Sequence, residues 1–463
     1  MPQESYTPEL LAPAGDMEKL ETAILYGADA VYLGGDGLNL RAGAAGFSWP
    51  ELAQGIRLAH AAGVKVYFTL NVYPRESMMR QVREHIAMLG ELRPDGVIAA
   101  DPGVIRLLRR ELPDVPVHVS TQANTANAEA LRFWSEYGAK RVNVARELRS
   151  QELFEMLAVA RKELPGMELE VFVHGAQCMA VSGRCYLSAM LNDRPGNLGE
   201  CSHPCRYEYR PMSVTFEERT RPGEPLWQVR DYAPEDAGDE FSFDSDDEFS
   251  FDLGPGTPDG PSVEPGLAEA LRTGGWSKFF AAQDLCLIHY LEWFARMRVA
   301  AVKLEGRTKS SAYLAQVVDA YKTALLGIRK GEFRPELYLS ELVNAASRPL
   351  TTGFFDPDRR GAIALPPDEA EKRPVLARVL GPAGDGRWDI QTKARWITSG
   401  DMELLIPGLV RPRISPEDYG VENDLGLGLD VTHPGQMAVL ICDHPEIRPG
   451  MFIRKPWSME GLD

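Results

Sequence analysis

The chain has 463 residues, 44% of them hydrophobic, which is enough for a large core and a smaller second domain. It carries a net charge of −17 and only six cysteines, which excludes a disulfide scaffold and disfavours a uniformly basic nucleic-acid binder. No apolar run reaches the roughly 18–20 residues that a membrane span needs.

The first segment, MPQESYTPELLAPAG, has neither a basic n-region nor an apolar h-region and reads as lacking a signal peptide, so a reducing cytoplasm is expected. Short apolar runs then recur: PELLAPAGD, ADAVYLGGD, VKVYFTLN, DGVIAAD, VPVHVSTQAN, KRVNVARE and ELEVFVHG. Each is a continuous Val/Ile/Leu/Tyr run, the texture of a parallel strand buried on both faces. Between them lie stretches such as MEKLETAILYG, with apolar residues at helical spacing and glycine at the end. An eighth run, RVAAVKLEGR, comes near residue 300, followed by the helical pattern SSAYLAQVVDAYKTALLGIRKG. Eight strand–helix units predict an α/β fold, a (β/α)8 TIM-like barrel over residues 1–345. A doubly wound open sheet is the alternative, but GGDGLNLRAG does not match the dinucleotide fingerprint.

A long excursion, roughly 175–297, separates runs seven and eight. It holds the clustered cysteines and a helix-like DLCLIHYLEWFARMR that contains Cys286. Thirteen Asp/Glu and no Lys/Arg fall between Asp231 and Leu271, so one segment carries most of the net charge. Rich in Asp, Ser, Gly and Pro, residues 231–271 read as a mobile loop. Residues 346–369 read as a linker. From about 370 to 463, short β-type runs separated by turn signals predict a small all-β, barrel-like domain.

Barrel enzymes place their chemistry at the C-terminal ends of the strands. Those ends are polar here: Asn71, Asp101, Ser120, Gln122, Arg146, Glu147, His174, Lys303, Glu305 and Arg307. Lys303 and Glu305, two apart on one strand, are expected to share a face, and with His174 as a proton shuttle they are the candidate catalytic residues. The cysteines read Cys-x6-Cys-x15-Cys-x3-Cys over Cys178, Cys185, Cys201 and Cys205. Only the last pair has zinc-knuckle spacing. Iron–sulfur clusters tolerate varied spacing, and Gly175, Gly183 and Gly199 beside the thiols would admit backbone N–H groups. Spacing favours a cluster narrowly and leaves zinc and unligated thiols open. Cys286 and Cys442 read as core residues. There is no HExxH and no GxSxG, and a His174/Cys178 nucleophile pair lacks a third orienting group.

EVFVHGAQCMAVSGRCYLS resembles the signature of the collagenase-like peptidase family, an old class of unknown catalytic type. LLAPAGDMEKLETAILYGADAVYLGG, HVSTQANTANAEALRFW, GECSHPCRYEY and VKLEGRTKSSAYLAQVVDAYKTAL resemble its other blocks, so the likeness spans most of residues 8–330. Members of that family include hydroxylases acting on tRNA, ribosomal RNA or the ubiquinone ring, with iron–sulfur clusters. One barrel followed by a short β domain is similar to its prephenate-dependent tRNA uridine hydroxylases, which form 5-hydroxyuridine. The resemblance thus implies a tRNA substrate, prephenate as co-substrate, and a [4Fe–4S] cluster on Cys178, Cys185, Cys201 and Cys205. A peptidase, or a hydroxylase of ribosomal RNA or a ubiquinone precursor, is the alternative. Prephenate carries two carboxylates, so Arg146, Arg184 and Arg307 are candidate anion contacts, with Gln122 beside them. Phosphate contacts would fall to Arg359, Arg360, Lys372, Arg373, Lys393, Arg395, Arg411 and Arg413 of the β domain.

Overall fold

The computed structural model describes residues 6–35, 37–39, 46–209, 212–216, 227–231, 282–359, 361–368 and 371–457. Seven strands follow in chain order: β1 (Glu9–Pro13), β2 (Ala30–Leu33), β3 (Lys65–Leu70), β4 (Gly96–Ala99), β5 (Val117–Val119), β6 (Arg141–Asn143) and β7 (Glu168–Ala176). Each pairs in parallel with the next. Two short strands, β8 (Met212–Phe216) and β9 (Trp227–Asp231), form an antiparallel hairpin inside the excursion. After β10 (Asp284–Cys286), β11 (Ala301–Leu304) pairs in parallel with both β7 and β1 and closes an eight-stranded barrel.

The helices alternate with these strands: α1 (Met17–Leu25), α2 (Trp49–Ala61), α3 (Met79–Leu92), α4 (Pro102–Glu111), α5 (Ala128–Glu136) and α6 (Ser150–Glu163). The excursion contributes the short α7 (Leu187–Asn192), and α8 (Leu291–Arg296), α9 (Ser311–Lys330) and α10 (Pro335–Ala345) follow. Polar strand ends start several of them. Asp16 accepts from Lys19 N, and Asp101 from Val104 N, so Asp101 of the expected rim is a helix cap. Ser48 and Glu51 form a capping box with Pro50 in the first turn. Gly331, at φ 74°, ends α9. Among the described residues, no helix is long and apolar enough to cross a membrane.

The sequence DLCLIHYLEWFARMR departs from its helical reading. Asp284–Cys286 is strand β10, antiparallel to Ala176, Gly175 and His174 of β7. Helix is confined to Leu291–Arg296 after a single turn. The long β7 offers its upper edge to a new strand, and that pairing overrides local helix preference. Cys286 is fully buried, and burial raises its thiol to about 11. Residues 346–369 supply β12 (Leu350–Thr351) and β13 (Ala362–Ala364), which extend the sheet from β10.

The C-terminal region forms a seven-stranded antiparallel sheet. Its strands are β14 (Val375–Gly384), β15 (Arg387–Thr392), β17 (Met402–Leu405), β18 (Arg413–Ile414), β19 (Gly420–Glu422), β21 (Met437–Ile441) and β22 (Phe452–Arg454), and β16 (Trp396–Ile397) pairs with β20 (Val431–Thr432) beside it. Cys442 is buried in its core. The described chain divides into two units, Met1–Cys201 with Gln283–Asp463, and Ser202–Ala282. In the second, Tyr209 donates to the Pro204 carbonyl at 2.8 Å, and the acidic residues 232–271 lie outside the described residues.

Barrel and β domain share one unit and are joined by buried charge. Arg454 is fully buried and donates to both oxygens of Glu341 at 2.8 and 3.0 Å, to Glu403 at 2.5 Å and to Gln316 at 2.9 Å. Arg411 pairs with Asp319 at 2.6 Å, Arg373 lies near Glu341 and Glu403, and Lys393 reaches Glu18. Arg413 pairs with Asp401 inside the β domain. Four of the eight expected phosphate contacts are therefore engaged with carboxylates. Arg359, Lys372 and Arg395 are exposed, and Arg360 lies outside the described residues.

Candidate functional site

One wall of the barrel interior is ionic rather than aliphatic. Leu11, Ala30, Tyr32, Tyr67 and Ile98 fill one side. Against them Lys303 donates to Glu170 at 2.8 Å, Asn143 donates to the same carboxylate at 2.8 Å, and Arg141 bridges Glu9, Glu168 and Glu170. Burial pushes the Lys303 amine below its ordinary range, and Glu170 opposes that shift. Glu170 and Phe172 could have been read as inward from their alternation with Val171 and Val173.

Lys303 and Glu305 do not pair. The strand ends at Leu304, and Gly306 turns the chain, so Glu305 leaves the strand's alternation. Its carboxylate meets Arg146 at 3.1 Å instead. Arg146 also donates to the Ala176 carbonyl at 2.9 Å and lies 3.9 Å above the Phe172 ring. Gly175, at φ 106°, permits this approach: a Cβ there would stand 2.6 Å from the Glu305 carbonyl oxygen.

His174 faces away from this site. The β7–β11 register pairs Phe172 with Lys303 and then His174 with Leu304, so one extra residue bulges from β7 and turns His174 outward. Its Nδ1 lies 3.5 Å from Tyr321 Oη, and its ring is 5.5 Å from the Tyr321 ring of α9. Burial, with Lys309 adding to it, lowers its pKa to about 3, so the ring is neutral. Arg307 is also enclosed, donating to Asn39 at 3.1 Å and Thr69 at 3.3 Å.

Gln122, Glu147 and Arg184 are among the expected residues that gather at the barrel mouth, together with groups the sequence did not reveal. Tyr73 Oη donates to the Gln122 carbonyl at 2.5 Å, and Arg184 Nε donates to the same oxygen at 3.1 Å. Arg184 also donates to Tyr73 Oη at 3.0 Å. Beside it Ser182 N donates to Glu147 at 2.7 Å, and Ser182 Oγ donates to Asn124 at 2.8 Å. Ser182 and Asn124 both have left-handed backbones, at φ 47° and 53°; asparagine favours that region, whereas serine gives no signal for it. These bonds fasten the segment between Cys178 and Cys185 onto the rim. Gln122 Oε1 and Arg146 Nε are buried and make no hydrogen bond.

Cys178 is exposed, and Cys185 and Cys201 are half-buried in the first unit; Cys205 lies in the second. Leu187 N donates to Cys185 Sγ at 3.4 Å, and a Cβ on Gly196 would stand 3.8 Å from Cys201 Sγ and 3.9 Å from the Cys185 carbonyl oxygen. Four thiols in one stretch form a donor set of iron–sulfur chemistry. Among the described residues, no three Cys, His, Asp or Glu side chains stand close enough to hold a metal ion. A cleft of about 690 Å³ lies at the opposite end of the barrel, lined by Tyr6, Glu9, Lys65, Arg141, Glu168 and Arg298. Its Arg141 and Lys65 are neutralised by Glu9 and Glu168.

The model of Peptidase family U32 matches residues 15–363. The chain belongs to that family. It is 34% identical over 362 residues to tRNA hydroxylation protein P of Escherichia coli, covering 76% of this chain and 75% of that protein. It is 36% identical over 349 residues to the protein of the same name from Helicobacter pylori, covering 75% and 71%. A more distant relative is the Collagenase of Porphyromonas gingivalis, 29% identical over 363 residues and covering 76% and 74%. The U32 match takes in the whole barrel mouth, from Gln122 through the cysteine segment to Glu305.

Proposed function

We propose that this chain is an RNA-modifying enzyme that hydroxylates a tRNA uridine to 5-hydroxyuridine, with prephenate as co-substrate and a [4Fe–4S] cluster on Cys178, Cys185, Cys201 and Cys205. The observation that carries RNA hydroxylation is the 34–36% identity, over three quarters of the chain, to relatives named for tRNA hydroxylation. The uridine product, prephenate and the cluster rest on the family resemblance, and the cluster also on the thiol donor set. Such a cluster supplies one-electron transfer or a Lewis-acidic iron when bound.

The chain's own residues have definable parts in this reading. Ser182, Glu147, Asn124 and Arg184 hold the cysteine segment against the rim. Phe172, Glu305 and the Ala176 carbonyl fix the Arg146 guanidinium and leave Nε–H for an anionic or carbonyl oxygen. Arg184 is exposed and can reach a second carboxylate by exchanging its bond to Tyr73. Neutral His174 and enclosed Lys303 and Arg307 are placed to support the barrel rather than to touch substrate.

The peptidase reading takes support from a relative's name, Collagenase. The residue geometry opposes it. His174, the histidine nearest Cys178 in sequence, is held neutral against α9, and buried Cys286 is a protonated thiol.

Nucleoside mass spectrometry of tRNA from a deletion strain tests the proposal. Loss of 5-hydroxyuridine derivatives, restored by the wild-type chain but not by Cys178→Ala, is expected. Unchanged levels in a strain with no second such enzyme would refute it. Anaerobically purified protein holding one zinc and no iron would refute the cluster alone.

A further inference from the structure

Gln122 sits in a single helical turn, Thr121–Ala123, at the tip of β5 and is 3% exposed. Its main chain is pinned. Ser120 Oγ accepts from Gln122 N at 3.4 Å, and the Gln122 carbonyl accepts from Tyr73 and Arg184. The turn packs directly beneath the Val181–Gly183 turn that separates Cys178 from Cys185. Yet the side-chain oxygen Oε1 is buried and accepts no hydrogen bond. A dehydrated amide oxygen left without a donor is costly, and such groups in folded proteins mark a ligand or an ordered water. Two other buried amide oxygens are without a donor among the described residues: Asn143 Oδ1 lies deeper, where its own amide is committed to Glu170, and Asn197 Oδ1 lies on the Gly196–Leu198 turn of the cysteine segment rather than at a strand tip.

We propose that Gln122 Oε1 accepts a ring N–H from the base held at the barrel mouth, and so selects a uracil-type edge over a cytosine-type edge. This rests on the reading that the substrate is RNA. Uracil offers N3–H between two carbonyls, whereas cytosine presents a lone pair at N3. Flipped-out bases are read through hydrogen bonds to that edge. With the main chain pinned, a turn of the Gln122 side chain toward the barrel mouth presents Oε1 to N3–H of one and repels N3 of the other. The adjacent strand β6 leads to Arg146, whose Nε–H is likewise without a partner and complements a pyrimidine carbonyl. Sites built to hydrogen-bond a polar group reject analogues lacking it more strongly than apolar pockets reject size changes.

The full chain is titrated with fluorescent RNA hairpins differing in one loop base: uridine, cytidine or N3-methyluridine. Wild type is expected to prefer uridine by about ten-fold, the effect of one buried hydrogen bond. Gln122→Leu should bind the three alike. Gln122→Glu, whose ionised carboxylate accepts and cannot turn to donate, should keep the uridine preference. Because Tyr73 and Arg184 grip the main-chain carbonyl, these changes leave the clamp in place. If Gln122→Leu melts at a lower temperature, Gln122→Met, of matching length, takes its place. A wild type that binds all three hairpins equally, or a Gln122→Leu variant that retains the uridine preference, overturns the inference while the RNA reading stands. A wild type that binds none of them overturns the RNA reading and the inference with it.

Discussion

Replacing Glu341 by glutamine tests whether buried charge ties the β domain to the barrel. Burial alone would raise the Glu341 carboxyl, but Arg454, with Arg411 and Arg373 behind it, outweighs that and holds it at about 2. Against an ordinary value of 4.5, this favours the ionised form in the fold by roughly 3 kcal/mol. The folded value is depressed, so the contribution is complete above pH 4.5 and is lost as pH falls toward 2. Glu341→Gln removes it at every pH while preserving shape. Urea unfolding followed by circular dichroism should find the variant about 3 kcal/mol less stable at pH 7. The two proteins should converge as pH falls below 4.5. A difference that stays constant from pH 7 to 2.5, or no difference at pH 7, would refute the ionic tie.

His174→Phe should flatten the acid dependence of stability. The unfolded histidine takes a proton near 6.5 and the folded one only near 3, so wild type loses stability between those values and the variant should not; equal slopes in urea midpoints against pH would contradict the burial argument. Lys303→Met leaves the buried Glu170 carboxylate with Asn143 and the longer 3.5 Å contact to Arg141 and should cost about 3 kcal/mol, with part of the loss recovered in Lys303→Met/Glu170→Gln; a double variant no better than the single one would argue against a pairwise bond. Gly175→Ala places a methyl group against the Glu305 carbonyl and a side chain at φ 106°, so it should cost about 2 kcal/mol in thermal unfolding and weaken substrate binding through Arg146; wild-type behaviour in both measurements would show that the rim tolerates the shift.

Much of the barrel is written in local pattern. Continuous apolar runs, helical stretches and glycine stops repeat at the spacing of strand–helix units, and each unit's strand borders the next. The four cysteines and their family signature are equally local. The placement of polar side chains is not. His174 was expected at the rim, and a one-residue bulge sends it to the opposite face of the strand. Lys303 and Glu305 were expected to share a face, and the strand ends between them.

The sequence by itself determined which chemistry is available: four thiols in one segment, polar strand ends, and the U32 blocks that contain both. Only the tertiary structure decided which groups are already spoken for. Arg373, Lys393 and Arg411 looked like phosphate contacts until the barrel supplied their carboxylates. Gln122 looked like one polar rim residue among several until burial deprived its side-chain oxygen of both water and a protein donor. Pairing and dehydration depend on neighbours remote in sequence, and local pattern carries no record of those neighbours.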